Sequence, residues 1–241
     1  MFNDLFIAVC YKPILNLLVV IYNFIPGHDL AIAIIIITIL IKLFLWPFSR
    51  QAIKAQKELQ ELQPKLEEIK KTHANNKEEQ AKATMALYRE HKINPFSSCL
   101  PLLIQLPFFF AVFQVFREIS TNKQILDYLY GFVSRPEAIN PQGFFGLINL
   151  ANPNYLLAVL AGLAQFWQAK MLSNQRPTVQ DEGAKDEDFA AVMNKQMLYM
   201  MPALTVFIGI TLPAGLSLYW LVMTLLTVLQ QFLVFRMKKQ A

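Results

Sequence analysis

Long runs of apolar residues dominate the chain and predict helices that cross a membrane. A helix needs roughly 20 consecutive apolar residues to cross the hydrocarbon core of a bilayer. Five stretches are long enough, the fourth at the lower limit: 29–48, 98–116, 153–172, 196–212 and 214–235. Only the turn around Pro213 separates the last two, which predicts a tight helical hairpin. The pattern therefore predicts an all-α integral membrane protein with five transmembrane helices.

A different pattern fills residues 49–92, where apolar positions recur every three or four residues among Lys and Glu. This periodicity predicts a helical hairpin outside the membrane, with its apolar stripe between the two arms. The stripe consists of Ile53, Leu59, Leu62, Leu66 and Ile69, and then of Ala81, Met85 and Tyr88. Asn76 and Glu79 form a capping-box pattern that begins the second arm. Pro64 is expected to bend the first arm.

The positive charges give these helices an orientation. Segment 49–95 holds ten Lys and Arg residues and the tail 236–241 holds three, whereas the loop 117–152 holds only three. Lys and Arg concentrate in the cytoplasmic loops of membrane proteins. We therefore expect the hairpin, the loop 173–195 and the C-terminus in the cytoplasm, and the N-terminus outside.

The N-terminal residues 2–24 are apolar but interrupted by Asp4, Lys12, Pro13 and Asn16. We interpret this segment as an interfacial helix on the outer surface, held by Tyr11 and Tyr22. The alternative is a sixth span, which would place the N-terminus in the cytoplasm.

The predicted organisation has nine segments. They are an extracytoplasmic interfacial helix 1–27, a first span 28–48, a cytoplasmic helical hairpin 49–95, a second span 96–116, an extracytoplasmic loop 117–152, a third span 153–172, a cytoplasmic loop 173–195, the fourth and fifth spans 196–235, and a cytoplasmic tail 236–241. Short interfacial helices are plausible in the loop 117–152.

Composition agrees with a membrane protein, because 55% of the residues are apolar and only 16% are charged. Cys10 and Cys99 fall in or beside apolar segments, so no disulfide framework is indicated and both are expected to be small, buried hydrophobic residues. The three histidines are scattered, and no spacing typical of metal ligands occurs. The sequence also has no Gly-rich phosphate loop and no intramembrane protease motif. We therefore predict no catalytic residues, no metal and no cofactor.

Lys42 stands out because it lies inside the first apolar run. Insertion of a Lys at the middle of a membrane helix costs about 2.5 to 3.5 kcal/mol. Its side chain could extend to the headgroups near Pro47, since the helix is expected to end there. The functional interpretation is a cation in a wet cavity within the membrane.

Other polar residues in the spans support the cavity. The predicted lining consists of Lys42 together with Gln105, Gln165, Ser217, Tyr219, Trp220 and Thr224. The alternative for each residue is an ordinary hydrogen bond between helices, worth about 0.6 kcal/mol. Gln230 and Gln231 are expected at the membrane interface.

Several motifs in a fixed order resemble one family. They are Ile41-Lys-Leu-Phe-Leu-Trp-Pro47, Leu62-Gln-Pro-Lys65, Leu87-Tyr-Arg-Glu-His-Lys-Ile-Asn-Pro95, Cys99-Leu-Pro-Leu-Leu-Ile-Gln-Leu-Pro107, Pro213-Ala-Gly-Leu-Ser-Leu-Tyr-Trp220 and Gln230-Gln231. The chain resembles the YidC membrane protein insertases, the bacterial branch of the Oxa/Alb insertases. Since it has no large periplasmic domain, it resembles their short form.

The resemblance implies a five-helix core in the bacterial plasma membrane and a hydrophilic groove open to the cytoplasm and to lipid. Lys42 would attract acidic tails of nascent membrane proteins, and their apolar segments would slide past Leu106, Pro107 and Phe109 into the lipid bilayer. The Sec translocon, the signal recognition particle receptor and the ribosome are further candidate partners, without a direct nucleic-acid site.

The sequence departs from this family in three places. Lys42 stands where the family usually has Arg, which keeps the charge but loses the planar, bidentate guanidinium. Met223-Thr224 stands where a Ser-Asn pair is usual, and the basic tail is short, which disfavours strong ribosome tethering. Two other functions fit the same residues: an anion transporter or channel that uses Lys42, and a scaffold whose hairpin binds soluble partners.

Overall fold

The structure, a computed structural model, is mostly helical and describes residues 2–74, 76–91, 94, 100–121, 123–173 and 196–238. The helices are α1 (Phe2–Phe6), α2 (Lys12–Phe24), α3 (Leu30–Phe44), α4 (Trp46–Glu61), α5 (Gln63–Thr72), α6 (Lys77–Glu90), α7 (Leu100–Thr121), α8 (Tyr155–Ser173), α9 (Met201–Gly209) and α10 (Ala214–Lys238). Two π-helical turns, Ile7–Tyr11 and Gln196–Met200, lead into α2 and α9. The predicted loop 173–195 after Ser173, the tail after Lys238 and Cys99 lie outside the described residues.

Two helices among the described residues are long and apolar enough to cross a membrane: Asp4–Phe24 and Ala214–Arg236. A third candidate is the pair Leu30–Phe44 and Trp46–Leu59, which bends by 67° between its two parts. Leu198–Gly209 is apolar but shorter. The total of five spans therefore stays a prediction.

Helix α10 lies at the centre of the bundle and packs against α3, α7 and α8, while α9 packs on α8. Close approach of α8 and α9 depends on small residues. A Cβ atom added at Gly209 would lie 2.8 Å from the Ala158 Cβ, and one at Gly162 would lie 2.4 Å from a Val206 methyl group. Contacts at this distance leave no room for a larger side chain at either glycine.

The two helices α5 and α6 pack against each other through a small apolar cluster. Leu62 and Leu66 are buried against Leu87 of α6, with Tyr88 at the edge. Burial raises the pKa of the Tyr88 phenol above its ordinary value. Met85, which we predicted on the apolar stripe, is 51% exposed, so the prediction for that position was wrong.

Local sequence signals set the ends of these helices. α4 ends at Glu61, and α5 begins at Gln63 with Pro64 in its first turn, so the chain breaks where Pro64 was expected to bend it. The Asn76 side chain accepts hydrogen bonds from the Glu78 and Glu79 backbone N–H groups, each at 3.2 Å, and begins α6 as predicted.

The end of the bundle predicted to lie outside is built from α1, α2 and residues 117–121 and 123–152. α7 continues to Thr121, five residues past the predicted end of the second span. A 3-10 helix, Lys123–Tyr128, and a two-stranded antiparallel hairpin, β1 (Gln142–Gly143) and β2 (Ile148–Asn149), follow it.

Candidate functional site in the helical bundle

Lys42 lies in the last turn of α3, with only 5% of its surface exposed. Its Nζ donates a hydrogen bond to the Thr227 Oγ1 of α10 at 2.9 Å. The side chain therefore points into the bundle and ends against a second helix. In the part of the chain that the structure describes, no carboxylate lies within ion-pair distance of this ammonium group.

The Thr227 hydroxyl is oriented by its own helix. Its Oγ1 donates to the Met223 carbonyl at 2.8 Å. Because a hydroxyl has one proton and two lone pairs, an acceptor lone pair is left for Lys42. The oriented hydroxyl thus offers an acceptor to a cationic donor, and the contact with Lys42 forms without an anionic partner.

A second polar pair joins α7 to α10. The Gln105 Nε2 donates to the hydroxyl of Tyr219, which is 2% exposed. On the next residue, the Trp220 ring packs edge to face against Phe109, with the ring centroids 5.5 Å apart. The structure thus brings together four residues that the sequence placed at the candidate site.

Gln165 and Ser217 instead face α9. The Thr205 hydroxyl donates to the Gln165 Oε1, and the Ser217 Oγ donates to the Gly209 carbonyl at 3.4 Å. No hydrogen bond described by the structure joins this pair to Lys42 or Gln105. Thr224, 4% exposed, lies on α10 between Tyr219 and Thr227. The predicted lining is therefore divided between two sides of α10.

The predicted apolar contact surface lies on α7. Leu106 is 37% exposed, and Pro107 and Phe109 are half-buried. Pro107 lies inside α7, where it has no backbone N–H to donate and leaves a carbonyl one turn earlier without its usual partner.

Sequence reasoning left Thr227 and Gln230 out of the site. The Gln230 Nε2 donates to the Trp46 carbonyl at 3.1 Å, and Gln230 is fully buried in the bundle. Its expected position at the level of the membrane interface stays a prediction. Gln231 is also buried, and both Oε1 atoms have no partner among the described residues. The available signal was the spacing of Thr224, Thr227 and Gln230, because residues three apart share one helix face.

An apolar cleft of about 330 Å³ lies between α8 and α10. It is lined by Trp167, Met171, Leu225, Val228, Leu229 and Phe232. These lining residues are all apolar, so the cleft is distinct from the polar contacts that Ser217, Tyr219 and Thr227 make with α9, α7 and α3.

The 60Kd inner membrane protein family matches residues 20–241 of this chain. A "Membrane protein insertase YidC" of Fusobacterium nucleatum is 38% identical over 215 residues, which cover 88% of both chains. The chain belongs to the 60Kd inner membrane protein family. Two proteins of the same name, from Geobacter metallireducens and Geobacter sulfurreducens, are each 31% identical to this chain.

Coverage differs among these relatives. The alignment covers 93% of this chain but 36% of the Geobacter metallireducens protein, and 95% of this chain but 38% of the Geobacter sulfurreducens protein. Membership in the family supports a role as a membrane protein insertase in a bacterial membrane. The name insertase describes a non-enzymatic role. The resemblance to the YidC insertases, which the sequence motifs indicated, is confirmed.

Proposed function

We propose that this protein moves short hydrophilic tails of nascent membrane proteins through a hydrophilic groove in the bundle. It then releases their apolar segments into the lipid bilayer. The observation that carries this proposal is the buried ammonium group of Lys42, which has one hydroxyl partner and no carboxylate among the described residues. A buried cation of this kind attracts an acidic group that enters the bundle.

The physical problem is the transfer of charged side chains through hydrocarbon. An unpaired charge in this environment costs several kcal/mol or more. A polar path that reaches partway across the membrane shortens the apolar barrier. We assign this path to Lys42, Gln105 and Tyr219, with Trp220 and Thr224 beside them on α10. Gln165 and Ser217 face α9 and would lie on a second side of α10.

The apolar segment of the substrate would contact Leu106, Pro107 and Phe109 on α7. Trp220 packs on Phe109 and continues this surface onto α10. Tyr219 is buried and bonded to Gln105, so a substrate reaches it only when α7 and α10 separate. We infer that the carbonyl left unpaired by Pro107 makes α7 easier to displace at this level.

No nucleotide is required in this mechanism. Partitioning of the apolar segment into lipid supplies a driving force. The membrane potential adds about 2.3 kcal/mol per elementary charge per 100 mV, which favours outward movement of acidic tails. Insertion of acidic tails is therefore expected to depend on the potential more than insertion of neutral tails.

The N-terminal helix would lie across the outer end of the bundle. The Tyr11 hydroxyl donates to Glu118 near the end of α7. At its C-terminal end, α2 is joined to the start of α3 by the short segment 25–29. The Asn16 Oδ1 accepts from the Tyr130 backbone N–H, and the Asn23 Nδ2 donates to the Ser134 carbonyl. From Tyr11 to Asn23, the helix therefore contacts the end of the bundle that is predicted to lie outside. This favours an interfacial helix over a sixth span.

Helices α4, α5 and α6 would project into the cytoplasm, on the same side as the C-terminus. We propose that they receive the substrate or its targeting machinery. The candidate partners are the Sec translocon, the signal recognition particle receptor and the ribosome.

Reconstitution tests the proposed function. The purified chain in liposomes is expected to insert a single-span substrate with an acidic N-terminal tail, measured by protection of the tail from added protease. Protein-free liposomes provide the control. No insertion above this control would contradict the proposal, and flux of small anions through the same liposomes would favour a channel.

A further inference from the structure

The tip of the β1–β2 hairpin has an unusual backbone. Phe144, Phe145 and Gly146 have φ angles of 53°, 58° and 91°, all in the left-handed region. Glycine adopts this region freely, but a bulky L-residue there is strained. Two consecutive phenylalanines in this conformation need support from the surrounding structure, and strain of this kind concentrates at functional positions.

Asp29 supplies that support. Its carboxylate accepts a hydrogen bond from the Phe145 backbone N–H at 2.6 Å and another from the Ile32 N–H at 3.1 Å. The same side chain therefore caps the start of α3 and holds the hairpin tip. We call these two hydrogen bonds of Asp29 the clamp. Asp29 is 4% exposed, so the clamp is protected from water.

The contacts of the hairpin place it at the level where the membrane helices begin. A Cβ atom added at Gly143 would lie 2.6 Å from the Ala31 Cβ, so the hairpin rests directly on the first turn of α3. The Leu150 carbonyl accepts from the Gly215 N–H at the start of α10. The hairpin is thus fixed to the ends of two helices of the bundle.

The clamped tip presents apolar side chains outward. Phe145 is 86% exposed and Leu147 is 84% exposed. Exposed apolar residues resume at the start of α8 with Tyr155 and Leu156, at 71% and 65%, and continue along that helix at Leu163. In a membrane protein, such a surface along a helix faces lipid. The hairpin tip, fixed at the starts of α3 and α10, exposes side chains of the same apolar kind.

We propose that the hairpin tip docks into the lipid leaflet at this end of the bundle, with Phe145 and Leu147 inserted among the acyl chains and Asp29 holding the strained turn. The hairpin is then a fixed contact between the protein and the bilayer surface. This role is independent of the polar groups around Lys42 and of substrate insertion.

Collision accessibility of a spin label tests the proposal in proteoliposomes of the full chain. The label is attached at Leu147→Cys after Cys10→Ser and Cys99→Ser, and the matched control is Ala138→Cys, an exposed position in the same connection. Oxygen concentrates in lipid, whereas a water-soluble nickel chelate remains in the aqueous phase. The label at Leu147 is expected to relax several-fold more with oxygen than with nickel, with the opposite order at Ala138.

Two results would overturn the proposal. Preferential relaxation by nickel at Leu147 means that the tip is in water. Protection from both reagents means that protein covers it, either a second copy of the chain or a partner.

The Asp29→Asn variant tests the clamp separately. An amide has one acceptor oxygen, so it can cap α3 but cannot also hold Phe145 through a second oxygen. The oxygen preference at Leu147 is expected to fall several-fold in this variant. An unchanged preference for oxygen over nickel at Leu147 would overturn the role of Asp29. Contact between the tip and lipid is decided separately, by the measurement on the chain that keeps Asp29.

Discussion

At the scale of single residues, the candidate site depends on how Lys42 is kept charged inside the bundle. A buried cation is costly unless it is hydrogen-bonded or hydrated. The structure gives its Nζ one described partner, the Thr227 hydroxyl, which has donated its own proton to the Met223 carbonyl. An ammonium group has three N–H donors, so further acceptors, water or a substrate carboxylate, are needed.

The contact between Lys42 and Thr227 can be measured by a double-mutant cycle. Thr227→Val removes the acceptor and is expected to destabilise the protein by about 1.5 to 3 kcal/mol, because a hydrogen bond to a charged group is lost. In a Lys42→Met background the same change should cost much less. Unfolding in detergent provides the measurement, with Thr227→Ser as the control that keeps the hydroxyl. Equal costs in both backgrounds would show that the two side chains are not coupled.

Water access to the site is tested at Gln105. In a chain without native cysteines, Gln105→Cys is expected to react with a membrane-impermeant maleimide added from the cytoplasmic side only. The control is Leu163→Cys, since Leu163 is 60% exposed but lies on the surface assigned to lipid. Labelling from neither side would indicate a dry interior and favour a scaffold.

At the scale of elements, α8, α9 and α10 pack closely because small residues lie at their contacts. A Cβ atom at Gly209 would lie 2.8 Å from the Ala158 Cβ and 3.0 Å from the Ser217 Oγ. The Ala158 Cβ is fixed to its backbone and cannot rotate away, so α8 and α9 themselves would have to move apart. Gly209 is therefore required by the geometry of the packing.

Gly209→Ala is expected to lower stability by about 1 to 3 kcal/mol, the usual range for overpacking. The gain of up to about 1 kcal/mol that Ala brings to a helix interior does not offset this cost, because Gly209 is the last residue of α9. The midpoint of thermal unfolding in detergent should fall by several degrees. Gly131→Ala, where no atom lies within 4 Å of the added Cβ, is the matched control. Equal midpoints for the two variants would contradict the close packing.

The sequence predicted helix ends well where one residue determines them. Asn76 caps α6, and the first arm is broken next to Pro64, where a bend was expected, because an amide oxygen and a ring without an N–H act locally. It missed the 67° bend between α3 and α4, since the apolar run continues through Trp46 to Phe48. The Gln230 bond to the Trp46 carbonyl stabilises that joint from α10, a contact between residues far apart in the chain.

At the scale of the whole molecule, α10 organises the candidate site. Three of its polar side chains reach three different neighbours: Ser217 contacts α9, Tyr219 contacts α7, and Thr227 contacts α3. Sequence patterns identified most of these residues as polar groups within apolar spans. Their partners could not be predicted, because the partners depend on which neighbouring helix approaches each face of α10.

The account as a whole predicts an insertase whose positive charge at residue 42 selects acidic tails. The most direct test compares two substrates in the same proteoliposomes, identical except for an acidic or a neutral tail. Lys42→Ala is expected to reduce insertion of the acidic-tail substrate several-fold and to leave the neutral-tail substrate nearly unchanged, whereas Lys42→Arg should insert both. Equal insertion by wild type and Lys42→Ala, or an equal loss for both tails, would contradict this account.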